Sequence, residues 1–357
     1  MTEQQVYVRL REFMDNLPTG YPETPTGVEM RILRKLFSPE EADLFMKLKM
    51  APEDVESISR RIGDDPTELT GRLEQMAQKG LLYRTYRGET VCYQAFHFII
   101  GIYEFQLKSM DTELAQMMEE YVPHYGMAQI LSGVKTKQLR VAPVKSSLDP
   151  SSVVAPYERI REEVRKQEVI SLQTCICKKE QGLLGNPCSR PHEVCFAFGD
   201  FGRYYIDNKL GRRIDANEAM EVLDKAEAAG LVLCPSNSLE LACLCCCCPC
   251  CCPYLRYGKM AQRPREMFRT EYLAVIDAAA CTGCENCLDR CQMAAIEEGD
   301  GVMIVLDDRC IGCGLCVAHC PEEAISLKHV PADETPPRTI DHVFDRIRQE
   351  RGLTDQV

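Results

Sequence analysis

The chain has 357 residues, 42 basic against 54 acidic side chains, a formal net charge of −12, and 22 cysteines. That charge disfavours nucleic acid, whose binding is driven by neutralising phosphates. The longest apolar stretch, residues 96–105, is broken by His97, Gly101 and Glu104 and is too short to span a bilayer. The opening residues show neither the basic flank nor the apolar core of a signal peptide, so a cytoplasmic chain of two or three domains is expected. In that compartment this many cysteines point to metal ligation rather than cross-linking.

In the N-terminal third, Ser38-Pro39-Glu40-Glu41 gives an N-cap, a first-turn proline and a capping-box glutamate, and Leu44, Phe45 and Leu48 follow on one helical face. A second helix carries Val55, Ile58 and Ile62 and stops at Gly63. A third opens on Asp65-Pro66-Thr67-Glu68, turns Leu69, Leu73 and Met76 inward and ends at Gly80. Residues 82–93, β-branched and aromatic and split by Gly88, predict a two-stranded wing. Three helices and a wing resemble the winged helix-turn-helix family, which implies either DNA binding or protein docking. The third helix favours docking: Arg72 and Lys79 cancel Glu68 and Glu74, and no Arg, Asn or Gln row faces outward for base edges. Cys92 in the wing reads as structural. A further helix is expected over 101–122, with Ile102, Phe105, Leu114 and Met118 as its apolar positions. The polar stretch 135–156 marks a linker after a domain of residues 1–134.

The middle, residues 157–265, begins with an amphipathic helix over 157–168 that runs into Cys175-Ile176-Cys177. Cys188 and Cys195 follow, with His192 between them as a surface side chain. Helices are predicted over 200–210 and 215–229, the second capped by Asp215 and Glu218. Residues 243–252 then hold eight cysteines in ten positions, more than packing needs. A metallothionein-like cage of zinc or copper(I) is one reading. One or two further iron–sulfur clusters is the other, favoured because a redox module follows directly. The candidate ligands are Cys175, Cys177, Cys188 and Cys195 as a first set of four, with Cys243, Cys245 and Cys246 completing it or holding a second cluster.

Residues 270–330 carry Cys281-x2-Cys284-x2-Cys287-x3-Cys291 and then Cys310-x2-Cys313-x2-Cys316-x3-Cys320-Pro321. Thiolates at i, i+3 and i+6 can wrap one face of an iron–sulfur cube, and the fourth sits too far round to complete it. Cys281, Cys284 and Cys287 are therefore paired with Cys320, and Cys310, Cys313 and Cys316 with Cys291. Structural zinc sites use two CxxC-type pairs across a longer gap instead. The segment resembles the bacterial two-[4Fe-4S] ferredoxin family, which implies two [4Fe-4S] clusters. Gln292 departs from that pattern, standing where a proline would follow the first motif. Strands over 272–276, 303–306 and 324–327 and a turn at Gly299-Asp300-Gly301 complete the unit. It holds eleven acidic and three basic residues, a surface suited to steering onto a basic patch of a redox partner.

The tail, 331–357, is proline-bearing and then helical. Its stripe of Ile340, Val343, Phe344 and Ile347 packs on the ferredoxin unit or clips a partner. The expected architecture is α+β and multidomain: a winged-helix-like start, a mainly helical Cys-rich middle, and a ferredoxin-like two-cluster module. The whole chain is similar to anaerobe proteins of that organisation. No nucleotide loop, dinucleotide fingerprint or catalytic triad is present, so catalytic residues are not assigned. The expected function is a subunit relaying low-potential electrons from a ferredoxin or flavoprotein to an oxidoreductase complex. A redox-sensing winged-helix regulator and an enzyme acting at a Cys-rich cluster are the alternatives.

Overall fold

The computed structural model describes residues 2–144, 147, 159–332 and 334–353, so half of the expected 135–156 linker lies outside the described residues. Helices α1 (Glu3–Asp15), α2 (Val28–Leu36) and α3 (Pro39–Phe45) lead into a two-residue strand β1 (Glu53–Asp54) and helices α4 (Val55–Ile62) and α5 (Pro66–Gln78). Capping fixes these starts: Ser38 and Glu41 form a reciprocal box, and the Asp65 carboxylate accepts the Thr67 and Glu68 N–H groups. Strands β2 (Tyr83–Arg87) and β3 (Thr90–Gln94) form the hairpin, and β1 pairs with β3 at its edge.

The helix expected over 101–122 is corrected to α6 (Thr112–Leu131). Asp111 sets its start by accepting the Leu114 N–H. The preceding 98–107 stretch is irregular, with Ile100 at φ +57°. Gly101 packs so tightly that an added Cβ would lie 2.7 Å from the Phe96 ring.

The middle is not mainly helical. Helix α7 (Ile160–Arg165) precedes strand β4 (Ile170–Thr174), α8 (Ile176–Leu183), β5 (Glu193–Phe198), α9 (Gly199–Asp207), β6 (Arg212–Ile214), α10 (Ala216–Ala228), β7 (Val232–Pro235) and β8 (Cys243–Cys247). The five strands form one antiparallel sheet in the order β6-β4-β5-β8-β7. The cysteine run is itself a strand, because adjacent residues there take opposite faces of a pleat. Helix α9 joins this sheet to the N-terminal unit. Its Tyr204 hydroxyl donates to the Ala77 and Leu82 carbonyls, and Phe201, Tyr204 and Tyr205 share the N-terminal core.

Helices α11 (Pro253–Met260) and α12 (Pro264–Met267) lead to the C-terminal module: β9 (Tyr272–Ile276), α13 (Asn286–Arg290), β10 (Ile296–Glu298), β11 (Met303–Val305) and β12 (Ile325–His329). β9 pairs with β12 and β10 with β11. Residues 140–144 stitch this module to the sheet. The Arg140 and Ala142 N–H groups donate to the Pro235 and Leu233 carbonyls, while those of Val141 and Val144 donate to Arg269 and Cys313. Arg309 adds bonds to the Met293, Ala294, Ala261 and Lys259 carbonyls. Among the described residues no helix is long and apolar enough to cross a membrane.

The last helix, α14 (Ile340–Glu350), packs on the N-terminal unit rather than on the C-terminal module. Val343, Phe344 and Ile347 cluster with Val134, and Arg351 donates to the Asp15, Leu17 and Pro18 carbonyls. His97 is wedged between Phe96 and Phe344, with ring centroids 4.1 and 3.9 Å away. Its burial pulls the imidazole down from 6.5 to about 3. The unfolded chain therefore binds a proton that the folded one refuses between those values. The stability owed to neutral His97 is complete above pH 6.5 and falls by up to about 1.4 kcal/mol per pH unit on acidification toward 3. Lowering the pH from 7.5 to 5.5 is expected to reduce the hydrogen-exchange protection factors of residues 340–350, taken against the intrinsic rate at each pH, and His97→Leu to blunt that loss; an identical response in both proteins contradicts the assignment.

Candidate metal centres

All 22 cysteines are free thiols. Those of the C-terminal module line two cavities. Cys310, Cys313 and Cys316 share one with Cys291, while Cys281, Cys284 and Cys287 share the other with Cys320. Each cavity thus takes three sulfurs from one motif and the fourth from the other.

The two motifs are held by matching hydrogen bonds. Cys281 Sγ accepts the Met303 N–H at 3.5 Å and Cys310 Sγ that of Ala274 at 3.4 Å. Cys291 Sγ accepts from Ala295 at 3.1 Å and Cys320 Sγ from Ala324 at 3.3 Å. Gly283 and Gly312 follow the first cysteine of each motif at φ +68° and +65°. At Gly312 an added Cβ would lie 2.4 Å from the Tyr272 carbonyl oxygen, so only glycine lets that loop close on β9. Gln292, the departure from the ferredoxin pattern, is buried and donates to the Arg290 carbonyl, leaving Cys291 on its cavity.

The cavities differ in setting. Cys284 is exposed, and exposed Glu285, Asp289, Glu322 and Glu323 lie near it in the chain or around its cavity. Cys310 and Cys316 are buried, and burial raises the thiols of Cys310, Cys313 and Cys316, the last to about 12. Buried thiols of this kind ionise only beside a cation. Two such cavities, each with four sulfurs and N–H donors aimed at sulfur, fit iron–sulfur cubes.

The middle cysteines separate into two groups. Register sets Cys195, Cys245 and Cys234 side by side across β5, β8 and β7, with Cys247 two residues along on the same face. The thiols neighbour one another in succession, Cys195 beside Cys245, Cys245 and Cys234 beside Cys247, Cys247 beside Cys252, and Cys252 beside Cys177 and so Cys175. Neighbouring thiols raise Cys177, Cys195 and Cys247, whereas Cys245 and Cys252 are lowered by bonds from two neighbours each. Gln173 donates to Cys195 Sγ at 3.5 Å and is held by Ser171.

The second group is Cys188 with Cys248, Cys250 and Cys251, whose sulfurs all lie within 4.8 Å of one another. Hydrogen bonds from Cys251 above all, with further help from Cys250, Lys178 and Cys188, bring Cys248 down to about 5.

Cys188, expected beside Cys175, Cys177 and Cys195, thus lies with Cys248, Cys250 and Cys251. Cys246 is also set apart, because it pairs with Leu233 on the opposite face of the sheet. Cys243 shares the thiol face without a thiol hydrogen bond, and Cys92 is buried in β3. His192 is exposed and bonds the Cys188 carbonyl through Nε2 at 2.9 Å. Cys234 carried no signal in the sequence, while Cys247, Cys248, Cys250, Cys251 and Cys252 stand in the candidate run of residues 243–252 without being singled out there. The alternation of Cys243, Cys245 and Cys247 was a usable strand signal, but nothing local joins Cys188 to residues 60 positions away.

A family model for a 4Fe-4S dicluster domain matches residues 274–327. The chain is 45% identical over 51 residues to an uncharacterized ferredoxin of Methanocaldococcus jannaschii, covering 14% of this chain and 34% of that protein. It is 38% identical over 48 residues to a subunit of the ion-translocating oxidoreductase complex of Methanosarcina acetivorans, covering 13% and 18%. It is 39% identical over 56 residues to a ferredoxin of Methanothermococcus thermolithotrophicus, covering 15% of this chain and 93% of that protein. The match thus spans about a third or less of the first two relatives and nearly all of the third. No solved structure matches the chain. Through its C-terminal module, the chain belongs to the ferredoxins with a 4Fe-4S dicluster domain.

Proposed function

We propose that the protein relays single low-potential electrons from an acidic docking surface, through two cubanes in the C-terminal module, to the Cys-rich sheet behind them. The observation that carries this is the sharing of each cavity between the two motifs, which brings two four-sulfur sites into one small fold. Cys281, Cys284, Cys287 and Cys320 would hold the outer [4Fe-4S] cluster, and Cys310, Cys313, Cys316 and Cys291 the inner one. When bound, each cluster supplies reversible one-electron chemistry.

The protein's own groups do the rest. The Met303, Ala274, Ala295 and Ala324 N–H groups favour the reduced, more negative state by donating to sulfur. Glu285, Asp289, Glu322 and Glu323 steer a basic partner to the exposed Cys284 side. The Val144 N–H on the Cys313 carbonyl and Arg290 Nη1 on the Ala228 carbonyl at 3.1 Å seat the inner side against the sheet. There, seven neighbouring thiols exceed what one tetrahedral ion can use. That excess supports a further iron–sulfur cluster drawing on Cys175, Cys177, Cys195, Cys245, Cys247 and Cys252.

The similarity to a component of an oxidoreductase complex supports a partner of that class, with a ferredoxin or flavoprotein as donor. The helix and strand order of residues 38–94 supports a winged helix used for docking. Arg84 of its hairpin is spent on Glu74 and Asp207, and the Thr85 and Tyr86 hydroxyls donate to Asp200 and Asp207 of α9. That leaves little charge for phosphates.

Single Cys→Ser variants test the sharing of ligands. Cys291→Ser is expected to leave the same reduced-state EPR spectrum as Cys313→Ser, and Cys320→Ser the same as Cys284→Ser. Residual spectra that group by motif, Cys291 with Cys284, would refute it. For the docking surface, neutralising Glu285, Asp289, Glu322 and Glu323 together should cut the stopped-flow reduction rate by a basic donor on the order of tenfold at low salt. A rate unmoved by both the substitutions and added salt counts against the acidic face.

A further inference from the structure

The sulfurs of Cys188, Cys248, Cys250 and Cys251 are packed differently from those around the two cavities. Cys188 Sγ lies 3.9 Å from Cys248 Sγ and 3.8 Å from Cys250 Sγ, and Cys250 and Cys251 are 3.8 Å apart. A tetrahedral ion with metal–sulfur bonds of about 2.3 Å places its ligands about 3.8 Å from one another. Among the described residues this is the one set of metal-binding groups drawn so close. A cube of irons and sulfides must stand between its thiolates and spread them, and the cysteines that share each cavity of the C-terminal module are not drawn together in this way.

We propose that these four cysteines form a closed mononuclear zinc site, separate from every iron–sulfur centre. The surroundings suit a Zn(Cys)4 unit, whose four thiolates leave a net charge of −2. Arg190 donates from Nη1 to Cys250 Sγ at 3.3 Å and from Nε to the Ala229 carbonyl at 3.1 Å. The buried Lys178 holds the Pro191 carbonyl and adds its charge near Cys248. The Cys251 and Cys252 N–H groups both donate to the Cys248 carbonyl, so the turn after β8 presents three sulfurs together. Four thiolates leave no open position, which makes the ion a staple rather than a reaction centre. It clips the loop carrying Cys188 to the end of β8, and Arg190 and Arg290 then grip consecutive carbonyls of the α10–β7 turn, Ala229 and Ala228. The staple thus braces the turn on which the inner side of the C-terminal module rests.

The test is metal analysis of the full chain purified anaerobically, with Cys250→Ser as the variant because Cys250 is exposed and its loss should not unfold the core. The wild type is expected to hold one zinc per chain. Cys250→Ser should lose it at least tenfold more readily to a chelator while iron content and the EPR of the reduced clusters stay unchanged. Protein produced with cobalt should show the visible bands of a tetrahedral cobalt–thiolate centre, absent from the variant. Loss of about four irons in Cys250→Ser, or a single iron in place of zinc, overturns the proposal. Because the iron count and EPR are read separately, failure here is distinct from failure of the electron relay.

Discussion

Buried sulfur stays protonated unless a cation stands beside it, and the whole architecture answers that constraint. Burial above all pushes Cys310, Cys313 and Cys316 upward, with neighbouring thiols adding to it, and neighbouring thiols are the main cause for Cys177, Cys195 and Cys247. A metal reverses that preference and turns each group of thiols into a cross-link. In the C-terminal module the cross-links stand in for a large apolar core, since its strands are only three to five residues long. In the middle, metals at the thiol groups would bind an otherwise ordinary antiparallel sheet to the loops at its edge.

The connections between units then acquire a purpose. Residues 140–144 alternate their hydrogen bonds between β7 and the C-terminal module, and Arg309 ties four carbonyls from both sides of that seam. Electron transfer demands a fixed distance between centres, and a seam built from backbone hydrogen bonds supplies fixity better than mobile side chains would. The N-terminal unit is fastened in the same way, by the Tyr204 hydroxyl on two carbonyls and by α14 folded over His97.

How much of this was legible in the sequence follows from how local each signal is. The CxxCxxCxxxC repeats constrain neighbours within one turn or two, so the sequence already pairs Cys291 with the second motif and Cys320 with the first. Caps at Ser38, Asp65 and Asp215 are equally local, and the helices begin there. The sheet was missed because cysteine has no marked strand preference and hides the period-two pattern of Cys243–Cys247. β4 and β5 are short and buried along most of their length, which erases the polar alternation. Cys188 lies beside Cys248, Cys250 and Cys251, and chain proximity is a poor guide once strands reverse direction. The tail helix was rightly seen as amphipathic, but its partner, Val134, lies two hundred residues away.

The account depends on two cubes held across the motifs at close range. Its most direct measurement is EPR of the fully reduced C-terminal centres in the intact chain. Two clusters sharing ligand strands in this way should contribute two spins per chain, beyond any from the middle thiols, in a signal broadened by their mutual magnetic coupling. A single narrow signal of one spin, or zinc in place of iron at those eight cysteines, would contradict it.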